Sequence, residues 1–547
     1  MDYPELMGVS EVEASRPKEV ADYLDSIQKN PNLILSVVQE TDLYGKSFND
    51  GLNGIFAVHP LLVRIIDTPQ FQRLRSLRML GVANLVYPSA THTRFEHCIG
   101  VSHLAGKFVA RLVERQPDLD VSRADHLCVQ IAGLLHDLGH GPFSHTFERF
   151  MKLVNPDEHW EHEKASEEMI DHLLDSCQLR TVFEQYGLQK QDVEFIKELI
   201  AGDPRDGWNR AARPTSKRWL YDIVANKRTG VDVDKFDYLA RDAKATAMAT
   251  KFDCQRCIMF SRVIKASDGV PQICFQDKEV DNVYDMFNIR FNMHKRVYQH
   301  RVTRVLERML LDGLVKASRH LKYRGTNNKV FTLGEAYKDM VAFQRLKDKI
   351  LDDILDQDDR PELAEAQEIL GRIITRKHYR FLRQTDPQER SPGSTQEEVL
   401  TEIIAALPRV ITTSLTVEKL RDNLVVVMRC YNYGMGTTNP MDAVGFYNKE
   451  NRNVITYIPR SEVSPVLPMM FQECIQSFYY RSLDSEVDIE EAGKVIDAWA
   501  QLKSIKIGTA TVKFTPTKRK RESSEPDDGI SSPATNGSAS HARRRLF

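Results

Sequence analysis

The dipeptide His136-Asp137 directly follows the apolar run 129–135, which has the composition of a buried helix. A bare carboxylate buried there would cost several kcal/mol, so the pair must be ligated, ion-paired or placed at a cleft. Neighbouring helical side chains point about 100° apart, which lets both bind one ion. His97 and Asp234 offer a second imidazole and a second carboxylate. This set suits a divalent transition metal with positions left for water.

Two further segments carry polar and aromatic residues at helical spacing. At i, i+4 and i+8 they are Asp234, Tyr238 and Asp242, and again Arg290, His294 and Tyr298. Histidines also cluster after the His-Asp pair, at His140, His145, His159 and His162. A cation-rich face beside a metal indicates an anionic, phosphorylated substrate. The alternative interpretation is a solvated charged stripe.

Three helices are predicted to position these residues. Thr93-x-x-Glu96 is a capping box, and the helix that follows it would carry His97 in its first turn. A second helix, 128–138, ends at the breakers Gly139, Gly141 and Pro142. A continuous apolar pattern predicts a third helix over 283–317.

The chain changes character beyond Leu407-Pro408. Short β-rich runs at 410–417, 423–430, 443–447 and 454–458, with a helix after Ser464-Pro465, indicate a smaller α+β lobe. From about Thr515 the sequence is basic and rich in Ser and Pro, which predicts disorder. We therefore expect a mainly α protein with four parts: an N-terminal segment 1–44, a helical domain 45–400, an α+β lobe 401–512 and a disordered basic tail 513–547.

Composition excludes several classes of protein. The 547 residues are 41% hydrophobic and carry a net charge of −2, which argues against a wholly disordered or strongly basic chain. No apolar run approaches the roughly 18 residues of a membrane span, and the acidic start lacks a signal peptide. We expect an intracellular protein without membrane partners. Its eight scattered cysteines fit reduced thiols better than a disulfide framework.

The spacing His97, His136-Asp137, Asp234 resembles the H…HD…D signature of the HD-domain metal phosphohydrolases. Longer motifs resemble the animal SAM-and-HD-domain deoxynucleoside triphosphate triphosphohydrolases more closely: DTPQFQRLR at 67–75, RFEH at 94–97, HDLGHGPFSH at 136–145 and DVDKFDY at 232–238. The resemblance extends from about residue 45 to about residue 500. No SAM domain is recognisable in the N-terminal segment.

The resemblance implies an HD-domain core and metal-dependent hydrolysis of deoxynucleoside triphosphates to deoxynucleoside and inorganic triphosphate, lowering cellular dNTP pools. The implied metal ligands are His97, His136, Asp137 and Asp234, which would hold Fe, Zn or Mn, with Mg²⁺ on the nucleotide phosphates. His162 matches the catalytic histidine, with His140 and His145 beside the phosphates. The implied substrate contacts are Leu80, Arg94, His140, His145, Lys235, Tyr238, Asp242, Arg290, Tyr298 and Gln299.

The family is also activated by GTP or dGTP and by deoxynucleotides bound between subunits, with assembly from dimers to tetramers. The residues that match these activator sites are Lys46, Asp67, Gln72, Arg75, Val86, Arg256, Lys278, Asn282, Arg296, His300 and Arg301. Several positions depart from the family pattern, among them Ser47 after Lys46 and the segment 51–54, and the basic loop expected between about 385 and 400 is not found. Met79 replaces a glutamine near the sugar, and Gln276 replaces an arginine that contacts the activator.

Two alternatives stay open at this point. One is a nucleotidase or phosphodiesterase of the wider HD superfamily, and the other is a regulator that binds single-stranded nucleic acid. In the tail, Thr515-Pro516 has the form of a cyclin-dependent kinase site and 544–547 (RRLF) resembles a cyclin-docking motif. The basic run 518–521 predicts nuclear import, with some protein in the cytoplasm, although a solvated tail is the simpler interpretation.

Overall fold

The computed structural model describes residues 45–204, 207–389, 395–463 and 467–508. Helices dominate this part of the chain, which confirms the predicted mainly α fold class. No helix in these ranges is both long enough and apolar enough to cross a membrane. The interpretations of the segment 1–44 and of the tail, including Thr515, fall outside the described residues.

The helices up to residue 374 build most of the molecule. In chain order they are α1 Pro60–Ile66, α2 Pro69–Gln72, α3 Arg94–Arg115, α4 Arg123–Leu135, α5 His145–Val154, α6 His162–Ser176, α7 Leu179–Gln185, α8 Lys190–Ala201, α9 Tyr221–Val224, α10 Val233–Ala245, α11 Cys254–Met259, α12 Val280–Met293, α13 Arg301–Ala317, α14 Met340–Phe343, α15 Ile350–Leu355 and α16 Ala364–Ile374. Short strands lie between them: the hairpin β1 Lys46–Asp50 and β2 Gly54–Val58, then β3 Ser261–Lys265, β4 Pro271–Gln276, β5 Lys322–Arg324 and β6 Val330–Thr332.

Helix α3 lies at the centre of this arrangement and packs against α4 and α10. Its N-terminus is fixed by the predicted capping box, in which the Thr93 N–H donates to Glu96 Oε1 over 2.9 Å. One face of α3 is fully buried, including the predicted stripe residues Val101 and Phe108. The second predicted helix also exists, but it begins earlier, at Arg123, and ends at Leu135. These contacts bring the first turn of α3 beside the end of α4 and the start of α10.

The prediction of one continuous helix over 283–317 is wrong. Helix α12 ends at Met293, a π-helical turn spans His294–Tyr298, and α13 restarts at Arg301 after a cap formed by His300. The His300 side chain accepts a hydrogen bond from the Val302 N–H over 3.3 Å, which stabilises the new N-terminus. Apolar spacing continues across the break, so periodicity alone does not reveal it.

The C-terminal elements form a separate layer around a four-stranded antiparallel sheet of order β11-β7-β10-β8. Its strands are β7 Arg380–Thr385, β8 Leu424–Asn432, β10 Gln472–Tyr480 and β11 Ile507–Gly508, while β9 Phe446–Tyr447 pairs with β4 instead. The helices here are α17 Gln396–Ala406, α18 Val417–Asn423, α19 Arg460–Val463 and α20 Glu486–Leu502. Phe478 and Trp499 lie in a hydrophobic cluster distinct from the main core. Strand β7 precedes residue 401, so this sheet draws on both predicted segments.

Several of the predicted C-terminal elements differ from the structure. The run 423–430 is a strand from Leu424 onward. In the run 410–417, residues 410–416 form a loop and Val417 begins α18. The run 443–447 is a strand only at its last two residues, and 454–458 contributes an isolated bridge. A strand, β10, stands after Ser464-Pro465 where a helix was expected, and the helix α20 comes later. The segment 410–416 is a loop because of a contact with a residue far away in the sequence. The Glu491 carboxylate accepts hydrogen bonds from the backbone of Thr413 and Leu415, at 2.7 and 2.9 Å, in place of a sheet partner.

Six cysteines are free thiols, as expected from the sequence, but one pair departs from that expectation. Cys430 on β8 and Cys474 on β10 form a disulfide. The two residues are direct register partners, with Cα atoms 4.1 Å apart. They are 44 residues apart in sequence, so only strand pairing brings them together.

Candidate active site and metal centre

Three segments converge to form the predicted metal centre. His97 comes from the first turn of α3, His136 and Asp137 follow α4, and Asp234 comes from the first turn of α10. The two imidazole Nε2 atoms lie 3.2 Å apart. Asp234 Oδ1 is 3.2 Å from His97 Nε2 and 3.5 Å from His136 Nε2. His97, His136 and Asp137 form a group that could hold a metal ion, and Asp234 lies beside both of its imidazoles.

The ring orientations leave the Nε2 atoms free to act as ligands. His97 Nδ1–H donates to Asp237 Oδ2 over 2.8 Å, and His136 Nδ1–H donates to the Gly133 carbonyl over 2.9 Å. Such partners fix the tautomer of a metal-binding histidine. Arg241 in turn holds Asp237 through two hydrogen bonds of 2.8 Å. The donor set and its supports fit a divalent transition metal.

The charged groups around the predicted metal ligands favour the binding of a cation. Burial opposes a charged imidazole, but hydrogen bonds to Asp234 and Asp237 outweigh it and raise the pKa of His97 to about 10. Burial would also raise the pKa of the Asp137 carboxyl, yet the Arg94 guanidinium holds it well below its usual range. Asp137 is therefore ionised, and the pocket attracts positive charge.

A strained turn joins the metal centre to the histidines beyond it. Phe143 and Ser144 both have positive φ, at 59° and 58°, directly before α5 begins at His145. Asp348 Oδ1 accepts the Phe143 N–H over 2.7 Å. The Ser144 hydroxyl accepts a hydrogen bond of 2.9 Å from Arg94, which pairs with Asp137. Asp348 and Arg94 thus both stabilise the backbone conformation that positions His145.

The predicted catalytic histidines form a second cluster with a carboxylate that the sequence analysis did not identify. Glu148 Oε1 accepts hydrogen bonds from His162 Nδ1 and, over 3.3 Å, from His145 Nδ1. The rings of His140 and His162 stack with centroids 3.9 Å apart. His140 Nε2 lies 3.2 Å from Asp137 Oδ1, which connects this cluster to the metal centre. Glu148 follows His145 by three residues, and side chains at this spacing are neighbours on a helix, so the sequence did contain a signal for Glu148.

Both clusters open into one cavity of about 700 Å³. Its lining includes every predicted catalytic and substrate-binding residue: Leu80, Arg94, His140, His145, His162, Lys235, Tyr238, Asp242, Arg290, Tyr298 and Gln299. His136, Asp137 and Asp234 also reach the cavity, and His97 lies fully buried beneath them. Met79, at the position that departs from the family, lies in the wall beside Leu80.

Another part of the cavity wall is built from α10, α12 and the π-helical turn. Tyr298 donates its hydroxyl hydrogen to Asp242 Oδ2 over 2.7 Å, and its ring lies 6.5 Å from that of Tyr238. Arg290 donates to the Asn432 carbonyl over 2.8 Å, so strand β8 anchors this cation. Burial, together with Arg290, lowers the pKa of His294 to about 3, so this ring is neutral.

The residues matched to the activator sites lie outside the cavity, in separate groups. Asp67, Gln72 and Arg75 are close in sequence, with Arg75 Nε donating to Gln72 Oε1 over 2.8 Å. Arg256 pairs with the buried Glu279, which also accepts from Asn282 over 3.0 Å, and Lys278 lies over the Phe260 ring. Tyr87, next to Val86, donates to the Arg296 carbonyl and meets the His300 ring. Lys46 begins β1, and Arg301 begins α13 over the Phe381 ring.

Comparison with known proteins gives the class of this molecule first. The HD domain family model matches residues 94–242, a range that contains all four predicted metal ligands. The fold and the site therefore define an HD-domain protein with a His/Asp metal centre.

The relatives narrow this class to one family. The deoxynucleoside triphosphate triphosphohydrolase SAMHD1 of Mus musculus is 41% identical over 476 residues, which cover 84% of this chain and 72% of that protein. The Homo sapiens protein of the same name is 43% identical, over 80% of this chain and 71% of its own length. A Dictyostelium discoideum homologue is 35% identical over 82% and 79%. The chain belongs to the SAMHD1 family of deoxynucleoside triphosphate triphosphohydrolases.

Proposed function

We propose that this protein hydrolyses deoxynucleoside triphosphates to deoxynucleoside and inorganic triphosphate. One observation carries the proposal: the four-ligand metal centre opens into the same cavity as six cationic side chains and a pair of tyrosines. Three of the cations, Arg94, Lys235 and Arg290, are the predicted contacts of a polyanion, and the tyrosines, Tyr238 and Tyr298, match a sugar. Membership of the SAMHD1 family supports the same reaction.

His97, His136, Asp137 and Asp234 would hold the metal, for which we propose Fe, Zn or Mn, with Mg²⁺ on the nucleotide phosphates. When bound, such an ion supplies Lewis acidity, which makes water a usable nucleophile near neutral pH. Arg94 has a second role because it pairs with Asp137 and keeps that carboxylate ionised. The Arg94 guanidinium would thus contact both the triphosphate and Asp137, one of the proposed metal ligands.

The histidine cluster would protonate the departing 5′-oxygen. His162 is the proposed catalytic histidine, and Glu148 fixes its ring by accepting from Nδ1. That hydrogen bond leaves Nε2 for proton transfer in the cavity. His145 shares the same carboxylate and is the more exposed of the two, while His140 lies against Asp137 beside the phosphates.

The test is to incubate the purified protein with Mg²⁺ or Mn²⁺ and dGTP, or with dATP plus GTP, and to identify the phosphate product. Inorganic triphosphate is the expected product. Asp137→Asn should abolish metal retention and turnover while leaving the protein soluble, and Asp125→Asn, at a buried carboxylate outside the cavity, is the matched control. Release of monophosphate or pyrophosphate would contradict the assignment.

Two rival functions predict different outcomes in that assay. A nucleotidase or phosphodiesterase would need fewer cations than the six Lys and Arg residues that line the cavity, and it would release monophosphate. A regulator that binds single-stranded nucleic acid would tolerate a lost metal ligand. The proximity of His97, His136 and Asp137 to one another, and of Asp234 to both histidines, favours an enzyme.

We further propose that GTP or dGTP and deoxynucleotides activate the protein by joining subunits. The activator-matched residues support this because they lie in separate groups outside the cavity, as expected for a ligand completed by a second chain. Sedimentation should show a shift from monomer or dimer to tetramer with GTP and a deoxynucleotide. An unchanged mass at millimolar nucleotide, with activity present, would contradict it.

The tail carries separate proposals. Nuclear accumulation and cyclin-dependent phosphorylation at Thr515 rest on the sequence motifs alone. Deleting 515–547 should abolish both and leave triphosphohydrolase activity intact. A truncated protein that still concentrates in the nucleus would contradict the localisation.

A further inference from the structure

His92 contacts Asp242, a residue of the cavity lining, and the motifs do not assign it a role. Its Nε2–H donates to Asp242 Oδ1 over 2.6 Å. The other oxygen of the same carboxylate accepts the Tyr298 hydroxyl over 2.7 Å. Asp242 is 1% exposed, and only 10% of the His92 side chain is exposed. Asp242 is therefore fixed by one donor on each oxygen, in a site where water competes poorly.

This arrangement determines where the Tyr298 ring stands. Tyr298 is the last residue of the π-helical turn, so its backbone is not continuous with a regular α-helix on either side. Its hydroxyl is tied to Asp242, and Asp242 is tied to His92. Because that hydrogen points to the carboxylate, the phenol presents its ring and an acceptor oxygen to the cavity rather than a donor.

His92 also contacts another part of the cavity lining through its backbone. Its carbonyl accepts the Met79 N–H over 3.0 Å, and Met79 and Leu80 line the cavity. The adjacent residues Arg78 and Thr93 form an isolated antiparallel bridge, which makes the connection rigid. His92 thus contacts both the Met79 backbone and Asp242, two residues of the cavity lining.

We propose that His92 is a positioning residue that determines selectivity against ribonucleotides. Through Asp242 it holds the Tyr298 ring beside the sugar C2′, where a 2′-hydroxyl would lack space. The inference rests on the proposed function, which places the sugar at Tyr238, Asp242 and Tyr298. Without His92, Asp242 would lose one of its two donors, the Tyr298 ring would move outward, and ribose would fit.

The experiment measures kcat/KM for dCTP and for CTP at fixed GTP and metal, and takes their ratio. His92→Leu should lower this ratio at least tenfold, mainly through better use of CTP and a higher KM for dCTP. His92→Gln returns an N–H donor and should restore most of the ratio. Tyr298→Phe keeps the ring but removes its hydrogen bond to Asp242, so it should shift the ratio in the same direction as His92→Leu.

The matched control is His126→Leu. His126 is 2% exposed and bonds to the Gly106 carbonyl over 3.0 Å, outside the cavity lining. It should lower the thermal midpoint without changing the ratio. An unchanged ratio in His92→Leu, or an equal change in His126→Leu, would overturn the role of His92. If His92→Leu is insoluble, the same comparison rests on Tyr298→Phe, whose unchanged ratio would overturn it. A wild-type protein that hydrolyses no dCTP would instead refute the proposed function.

Discussion

Asp237 contacts His97, a predicted metal ligand. Replacing it with asparagine tests whether a residue that orients a ligand affects metal binding. The carboxylate is 1% exposed and accepts three hydrogen bonds of 2.8 Å, one from His97 and two from Arg241. Asn keeps the volume but exchanges one acceptor oxygen for an amide donor. Whichever way the amide points, an N–H group then faces His97 or Arg241.

The expected magnitude follows from these contacts. A hydrogen bond to a charged group contributes about 1.5–3 kcal/mol, and Arg241 keeps its second carboxylate partner, Asp50, at 2.9 Å. We therefore expect Asp237→Asn to lower the free energy of unfolding by about 2–3 kcal/mol. Loss of a histidine's orienting partner typically weakens metal binding 10- to 100-fold, or roughly 1.4–2.8 kcal/mol.

The assay is a chelator competition for Mn²⁺, combined with urea unfolding and with turnover across a range of Mn²⁺ concentrations. Excess Mn²⁺ should restore most of the turnover, because the ligands themselves remain. Asp125→Asn breaks a comparable buried network with Arg213 and Lys217, at 2.6 and 2.7 Å, and should lower stability alone. Wild-type metal affinity in Asp237→Asn would refute the argument that Asp237 orients His97.

Three further predictions follow from backbone packing, burial and covalent linkage. A Cβ on Gly139 would lie 2.4 Å from the His162 carbonyl, so Gly139→Ala should displace α6 and lower kcat by up to about 10²-fold in steady-state turnover. Burial raises the pKa of Asp222 to about 6 from 3.8, so the folded state binds this proton more tightly and stability falls as pH rises from about 4 to 6. Asp222→Asn should remove that loss of about 3 kcal/mol, measured by urea unfolding at pH 4 and pH 7. The Cys430–Cys474 disulfide closes a 44-residue separation and should contribute roughly 4 kcal/mol, so Cys474→Ser should be less stable than wild type only without reductant.

Much of the metal centre was predictable because its signals are local. Thr93 and Glu96 are three residues apart and cap the helix that carries His97. The glycines and proline after Asp137 end the predicted second helix, although it stops at Leu135 rather than residue 138. Capping and breaking depend on side chains within one turn of the backbone they act on, so a linear sequence contains the information.

The rest of the site depends on pairs that no local pattern reveals. His92 and Asp242 are 150 residues apart, and His97 and Asp237 are 140 apart. The break at His294–Tyr298 falls inside an unbroken apolar pattern, because periodicity reports which face is buried and not whether the helix axis continues. Likewise, the 410–416 segment has strand-like residues, but Glu491 satisfies part of its backbone from another helix.

The sequence alone thus determined the mainly α class and predicted a set of metal ligands, since both follow from contiguous motifs and spacing. Only the tertiary structure decided which buried carboxylates orient the histidines, where the Tyr298 ring stands and which cysteines pair. These features depend on the distance between side chains that are far apart in the chain. Such distances are set by how α3, α10 and the C-terminal sheet pack, and packing is a property of the whole core rather than of any one segment.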